Sequence, residues 1–337
     1  MSKKYNIAVI GSIGSVGSQI LSILDERNFP YNDVYALGSA NSAGKKVSFG
    51  EEKTLKIEDF KGFDFSKVNI VFTCPGADIP RSAIDKATSQ GAIVIDLTSL
   101  YRAEEDVPLV IPEVNPQILK NFGKHKIISN PNCCTTPIVV ALSPLHNAAK
   151  IKRIVISTYQ AVSDLGKDGM DELYNQTKSK FMQGGLPPKA FQKQIAFNII
   201  PQIGELENNG SSREEQRIIS EIQKILGTDI QVSVTCVRVP VFIGHAMSVN
   251  VEFHNKINAK EACELLEEED GITISHSGND MILSPIDVAG YDLTYVSRLR
   301  DDTSAPNSID LMISSDNLRK GAALNAVQIA EELINYL

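Results

Sequence analysis

The run Asn130-Pro131-Asn132-Cys133-Cys134-Thr135-Thr136-Pro137 sets a cysteine in a turn just ahead of a stretch that reads as a helix. Proline suits the first helical turn, and Thr135 or Thr136 stands where a cap is needed. A thiol at that point gains from the helix dipole and from unpaired amides, which lower its pKa and can also hold an oxyanion. Cys133 is therefore the candidate nucleophile. The competing role of any cysteine is that of a small buried apolar side chain, and it suits Cys134, Cys74, Cys236 and Cys263, which lie in or beside apolar runs. A thiol nucleophile needs a base. Among five histidines, His245 follows a glycine in RVPVFIGHAMSVNVE and opens a strand pattern, as that base or as a structural residue; His125, His146, His254 and His276 lie in polar, surface-like sequence. Arg238, seven residues before His245, ends an apolar run where an unpaired guanidinium would be costly to bury. It demands an anion, either a structural carboxylate or a substrate.

A second chemical feature lies near the N-terminus. GSIGSVG (11–17) follows a short apolar run and opens a helical pattern, the setting in which glycines let a backbone approach a pyrophosphate at a helix N-terminus. Gly11, Ser12, Ile13, Gly14, Ser15 and Val16 form this candidate cofactor loop, the alternative being a simple glycine-rich turn. After the second strand, where an acidic residue would select NAD through its ribose hydroxyls, the sequence reads GSANSAGKK with no Asp or Glu. Ser39, Asn41, Ser42 and Lys45 can instead hydrogen-bond a 2′-phosphate, which favours NADP, with NAD as the alternative.

Elements that can position these groups follow from periodicity. YNIAVI (5–10), VYALG (34–38), VNIVFTC (68–74) and AIVIDL (92–97) read as strands, with helices after the glycine loop and over 79–90. Such alternation predicts a Rossmann-like, doubly wound parallel sheet. Pro144 is expected to kink or end the helix that begins near Pro137. From Ile151 the texture becomes alternating and β-branched (IKRIVISTYQAVS, IQVSVTCVRVP, AMSVNVEFHN, SIDLMIS), as in a mostly antiparallel sheet, with helices over 168–180, 212–226 and 259–268. The last segment is an amphipathic helix whose Leu324, Val327, Ile329, Ala330 and Leu333 should return to the first domain. The expected organisation is an α/β chain, with 1–132 plus 317–337 binding cofactor and 133–316 forming an α+β catalytic and dimerisation domain.

A chain of 337 residues accommodates two joined domains. Its net charge of −8 argues against nonspecific nucleic-acid binding, so any anionic ligand must be held by local arginines. No stretch approaches the ~20 apolar residues that span a bilayer, and a cytoplasmic protein with no membrane partner is expected. The odd cysteine count and the lack of any C-x-x-C pair speak against disulfides and a structural metal. The acidic run Glu267–Asp270 reads as a solvated helix end.

Taken in order from end to end, GSIGSVG, IDLTSLYR, VPLVIPEVNP, NPNC, TYQAVS, RVPVFIGH and DNLRKGAALNAVQIAE closely resemble the aspartate-semialdehyde dehydrogenases. The resemblance implies a homodimer or homotetramer that uses NADPH to reduce aspartyl phosphate to the semialdehyde, releasing phosphate, on the route to lysine, threonine and methionine. It makes Cys133 the nucleophile, Gln160 the amide that orients the acyl group and His245 the acid/base. Arg238 would grip the substrate carboxylate, Glu214 its amino group and Arg102 and Arg217 the phosphate, with Asn132 beside them. Ser163, Asp164 and Asn317 resemble cofactor contacts, as do Pro75 and Gly76.

Five positions depart from the family pattern: Ile13 replaces a threonine, Asn41 an arginine, Pro75 a glycine, Asp164 a small residue and Arg217 a lysine. The nearest rival is N-acetyl-glutamyl-phosphate reductase, whose cysteine follows a glycine rather than Asn132. A noncatalytic cofactor-binding relative is opposed by the joint presence of Cys133, Gln160, His245 and the arginines.

Overall fold

The first apolar run forms β1 (Tyr5–Ile10), buried along nearly its whole length, as a parallel strand covered on both faces must be. The structure is a computed structural model that describes residues 3–51, 53–76, 79–123, 125–182, 184–275 and 282–337; His276 lies outside the described residues. The chain divides into two units, Met1–Pro131 with Ala322–Leu337, and Asn132–Gly321.

In the first unit β1 is followed by α1 (Ser15–Glu26), β2 (Tyr31–Gly38), an antiparallel hairpin of β3 (Lys46–Phe49) and β4 (Lys53–Lys56), β5 (Glu58–Asp59), β6 (Ile70–Thr73), α2 (Arg81–Ser89), β7 (Ile93–Asp96) and β8 (Ile127–Ser129). The sheet order is β5-β2-β1-β6-β7-β8, parallel throughout. Strand order reverses beside β1, so the glycine loop leaves the sheet at the switch point where such folds bind ligands. Gly11 has a φ of +86°. A Cβ on Gly17 would lie 2.2 Å from the Gly11 carbonyl oxygen, so only glycine lets the helix pack this closely on the turn.

The second unit runs α3 (Thr135–Ala149), β9 (Ile151–Gln160), α4 (Gly166–Phe181), α5 (Arg213–Leu226), β10 (Gln231–Arg238), β11 (His245–Phe253), α6 (Ala259–Glu267), β12 (Ile272–Ile274), α7 (Pro285–Val288), β13 (Thr294–Asp301) and β14 (Ser308–Ser315). Its sheet order is β10-β9-β11-β14-β13-β12. The three central pairings are antiparallel and the two outer ones parallel, giving a mixed rather than uniformly antiparallel sheet. α3 does not stop at Pro144 but carries it inside the helix to Ala149. Residues 267–270 are exposed at the end of α6, as expected of a solvated helix end.

The chain then returns to the first unit as α8 (Leu324–Leu333), entered through a π-helical turn, Arg319–Ala323. Leu324, Val327, Ile329, Ala330 and Leu333 are all buried in the apolar cluster that also contains Ile20, Leu24 and Val9. An ion pair between Arg27 and Glu331 and a hydrogen bond from Asn325 to Asn130 tie the helix in place. No described helix is long and apolar enough to cross a membrane.

Candidate active site

Residues far apart in sequence meet because three strand ends of the second unit coincide. β9 and β10 are parallel with Gln160 paired to Arg238, and antiparallel β11 begins beside them at His245. Cys133 reaches the same place from the start of α3. Its Sγ lies 3.4 Å from His245 Nε2. Gly321 packs against it so closely that a Cβ there would lie 3.0 Å from the Cys133 carbonyl oxygen and 3.1 Å from its Cβ.

The protonation of His245 is set by its other nitrogen. The Ala161 amide donates to Nδ1 at 3.0 Å, so Nδ1 accepts and the proton of the neutral ring sits on Nε2, facing the sulfur. Burial pushes the Cys134 thiol well up, keeping it protonated. Its hydrogen bond to Cys133, followed by the charge of His245 and the His245 hydrogen bond, holds the Cys133 thiol down at about 7 against burial and the nearby Asp164 carboxylate. The thiol flanked by two donors is thus a ready nucleophile near neutral pH, while Cys74 and Cys236 are buried and pushed far the other way by desolvation. Cys133, Cys134 and His245 bring their ligand atoms within 4.8 Å of one another, but a metal would require a second thiolate from Cys134, which burial opposes.

The helix cap differs from the expected threonines. Cys134 occupies the position before α3 and makes no side-chain cap bond. Asn132 supplies it: Oδ1 accepts from the Cys134 amide at 2.8 Å, and the Asn132 carbonyl accepts from the Thr136 amide at 3.0 Å. Asparagine two residues earlier wins because its short carboxamide reaches an orphan amide of the first turn. Asn132 is also gripped by α5. Its Nδ2 donates to Glu214 Oε1 at 2.7 Å and its amide to Glu221 Oε2 at 2.6 Å. Glu214 and Glu221 are two helical turns apart on one face, and both are buried. Glu221 escaped sequence reasoning, although the i, i+7 spacing of two glutamates on an amphipathic helix was its signal.

Gln160 is fully buried and donates to Cys134 Sγ and Glu214 Oε1, while its Oε1 has no hydrogen-bond partner. Arg217 is half exposed, 3.7 Å from Glu214. Arg238 is buried, donating to the Ala161 carbonyl at 2.6 Å and to Asp164 Oδ2 at 2.7 Å. Its anion in this structure is thus a protein carboxylate. Asp164, expected beside the cofactor, spends its carboxylate on Arg238 and lies 4.0 Å from Cys133 Sγ. Ser163 and Asn317 bond each other, and Asn317 Oδ1 accepts from the Gly244 amide at 2.9 Å, so this buried pair braces the turn that enters His245. Residues 317–321 fall in the second unit.

In the first unit the loop residues Gly11, Ser12, Ile13, Gly14, Ser15 and Val16 form the turn and first helical residues after β1. The Gly11 and Ser12 amides donate to the Leu37 carbonyl, and the first helical bond runs from Ser18 to Gly14. The amides of Ser15, Val16 and Gly17 have no acceptor within the helix, as the first turn requires. Ser39 and Asn41 are exposed and Ser42 half-buried in the turn after β2; Pro75 and Gly76 are exposed after β6. Arg102 donates to the Leu97 carbonyl at 2.9 Å. Its loop is organised by Asp96, a fully buried carboxylate that accepts from Thr73 and Thr98 and was not singled out from sequence. Burial pushes the Asp96 carboxyl up, against those hydrogen bonds.

Comparison with known proteins gives the family. The family model for the semialdehyde dehydrogenase NAD-binding domain matches residues 6–122, and that for the semialdehyde dehydrogenase dimerisation domain matches residues 142–320. The chain is 56% identical over 336 residues to the aspartate-semialdehyde dehydrogenase of Rickettsia conorii, covering 99% of each. It is 44% identical to that of a Shewanella species, again over 99% of each. The crystal structure of aspartate-semialdehyde dehydrogenase II from Vibrio cholerae, complexed with ASA, matches with a TM-score of 0.96 at 42% identity, covering 99% of both chains. The chain belongs to the aspartate-semialdehyde dehydrogenase family.

Proposed function

We propose that the chain interconverts 4-aspartyl phosphate and aspartate semialdehyde plus phosphate through a thioester on Cys133, with NADP as cofactor. The observation that carries this is the 3.4 Å approach of Cys133 Sγ to the Nε2–H of His245 at the start of α3, with the thiol at about 7. In the reductive direction the Cys133 thiolate attacks the acyl carbon, and the bond to phosphate breaks with its electron pair leaving on phosphate. The Cys133 amide at the helix start is the backbone donor left for the developing oxyanion, because the Cys134 amide is held by Asn132 Oδ1; one such donor contributes ~3 kcal/mol. His245 Nε2 holds a proton for the oxygen that becomes the aldehyde and recovers it as the sulfur departs. Gln160 orients the acyl group, while Arg238 and Glu214 take the substrate's carboxylate and amino group. Arg102 and Arg217 each offer a guanidinium to the phosphate dianion.

The residues of the glycine loop fit a dinucleotide. The Gly17 approach to Gly11 and the open first-turn amides suit a pyrophosphate. Ser39, Asn41 and Ser42, without a carboxylate among them, suit a 2′-phosphate. NADPH, when bound, supplies the hydride that reduces the thioester carbonyl. One relative in the family, from Candida albicans, was solved with NADP. Ser163 and Asn317 are the cofactor contacts that the family resemblance implies.

The enzyme works in solution as a homodimer or higher homo-oligomer of the cytoplasm. Support comes from the match to a dimerisation domain over 142–320 and from Phe181 and Phe197, large exposed rings that pack edge to face on the second unit. The direct test of function is an assay of aspartate semialdehyde and phosphate with NADP and NAD in parallel. Reduction of NADP faster than NAD is expected. Turnover with neither would overturn the function, and faster turnover with NAD would overturn the cofactor alone.

A further inference from the structure

A buried arginine that is to receive a substrate carboxylate must be held by something before the substrate arrives, because an unpaired guanidinium in a buried setting is costly. Arg238, only 4% exposed, meets that need with Asp164, whose side chain is 30% exposed. The carboxylate lies in the short 3₁₀ turn Val162–Leu165 directly after β9. One oxygen accepts from Arg238 Nη2 at 2.7 Å and the other lies 4.0 Å from Cys133 Sγ. A single carboxylate therefore spans the guanidinium and the nucleophile.

We propose that Asp164 is a specificity-determining residue that occupies Arg238 in the free enzyme and is displaced by the substrate's own carboxylate. The inference rests on the assignment of Arg238 to that carboxylate. Two consequences follow from the geometry. Substrate binding exchanges one carboxylate for another on the same guanidinium, so Asp164 weakens the apparent affinity for aspartate semialdehyde without touching that for phosphate. In the free enzyme the Asp164 carboxylate also opposes the Cys133 thiolate that Cys134 and His245 favour, so taking that carboxylate away by substitution moves ionisation of the sulfur to lower pH.

The test uses Asp164→Asn, which keeps the shape of the side chain, and Asp164→Ser, which provides a small one. KM for aspartate semialdehyde and for phosphate, kcat, and the pH profile of iodoacetamide alkylation of Cys133 in the free enzyme would be measured for each. The expected result is a KM for aspartate semialdehyde lowered roughly 3–10-fold in both variants, an unchanged KM for phosphate, and an alkylation midpoint moved to lower pH. A purely structural Asp164 would instead lower the thermal midpoint and leave KM and the alkylation profile in place. A KM for aspartate semialdehyde that stays or rises in both variants overturns the proposal, whatever the alkylation midpoint does. Arg238→Lys separates the layers. If it raises that KM while the Asp164 variants do not lower it, the displacement fails and the role of Arg238 stands; if it leaves KM unchanged, the role of Arg238 fails and the displacement with it.

Discussion

Cys133 owes its acidity to what surrounds it rather than to its helix position alone. The Cys134 thiol and the His245 ring both donate to it, and the tautomer of His245 is fixed from behind by the Ala161 amide. The thiol is lowered from its ordinary 9.0 to about 7, so its reactivity should rise as pH increases through about 7 and level off above it. The iodoacetamide rate measured from pH 5 to 10 checks this; a midpoint near 9 would contradict it. His245→Gln removes the ring that favours the thiolate, so the midpoint should move up and kcat should fall about 10²–10⁴-fold, read in the same alkylation series and in a turnover assay. Asn132→Ala takes away the side-chain cap of α3 and the carboxamide bond to Glu214, while the backbone bond to Glu221 stays, with an expected loss of about 1–2 kcal/mol in chemical denaturation. Among the residues, Cys133, His245 and Arg238 were legible because each is of a chemically demanding type in a demanding place. Asn132, Glu221 and Asp96 were less so, since their work consists of hydrogen bonds to partners that only the fold brings near. Arg238 shows the same limit from the other side, because sequence established its need for an anion and the structure supplied Asp164.

At the scale of elements, patterned apolar runs were the readable part. β1 was expected over 5–10 and is found there, and the expected strands at 68–74 and 92–97 contain β6 and β7. The β3–β4 hairpin, β8 and β13 were not expected. The first two are only three or four residues per strand, and Thr294–Asp301 carries two arginines and an aspartate that mask its alternation. Pro144 was expected to disturb α3, yet the helix continues through it. The buried residues of that helix, among them Ile138, Val139, Ala141, Leu142 and Leu145, form enough apolar contact to carry it past one missing amide. The glycine loop depends on an approach that no side chain permits. Gly17→Ala puts a methyl 2.2 Å from the Gly11 oxygen, so α1 must shift off the turn. NADPH affinity, followed by nucleotide fluorescence, should weaken tenfold or more (about 1.4 kcal/mol or above), while the Cys133 alkylation profile should stay as it is because that site belongs to the other unit.

At the scale of the molecule, chemistry and cofactor are divided between two units built on different principles. A parallel sheet with a switch point makes the nucleotide-binding domain, and a mixed sheet whose strand ends converge carries the proposed nucleophile. Both architectures were legible from the change in texture at Ile151, but the convergence of Gln160, Arg238 and His245 was not, because it depends on β9 lying between β10 and β11. An acidic chain that handles anions must do so with local guanidiniums, and Arg238 and Arg217 each sit against a carboxylate that keeps the surroundings near neutral. Light scattering after gel filtration should give a mass of at least two chains, and a substitution of Phe181 by a charged residue should shift it toward one. The most direct measurement of the whole account is phosphate-dependent reduction of NADP by aspartate semialdehyde, compared between the native chain and Cys133→Ala. The native chain should turn over and the variant should lose activity by about 10³-fold or more while keeping its NADPH affinity. Turnover by Cys133→Ala at a rate near that of the native chain would contradict the thioester mechanism.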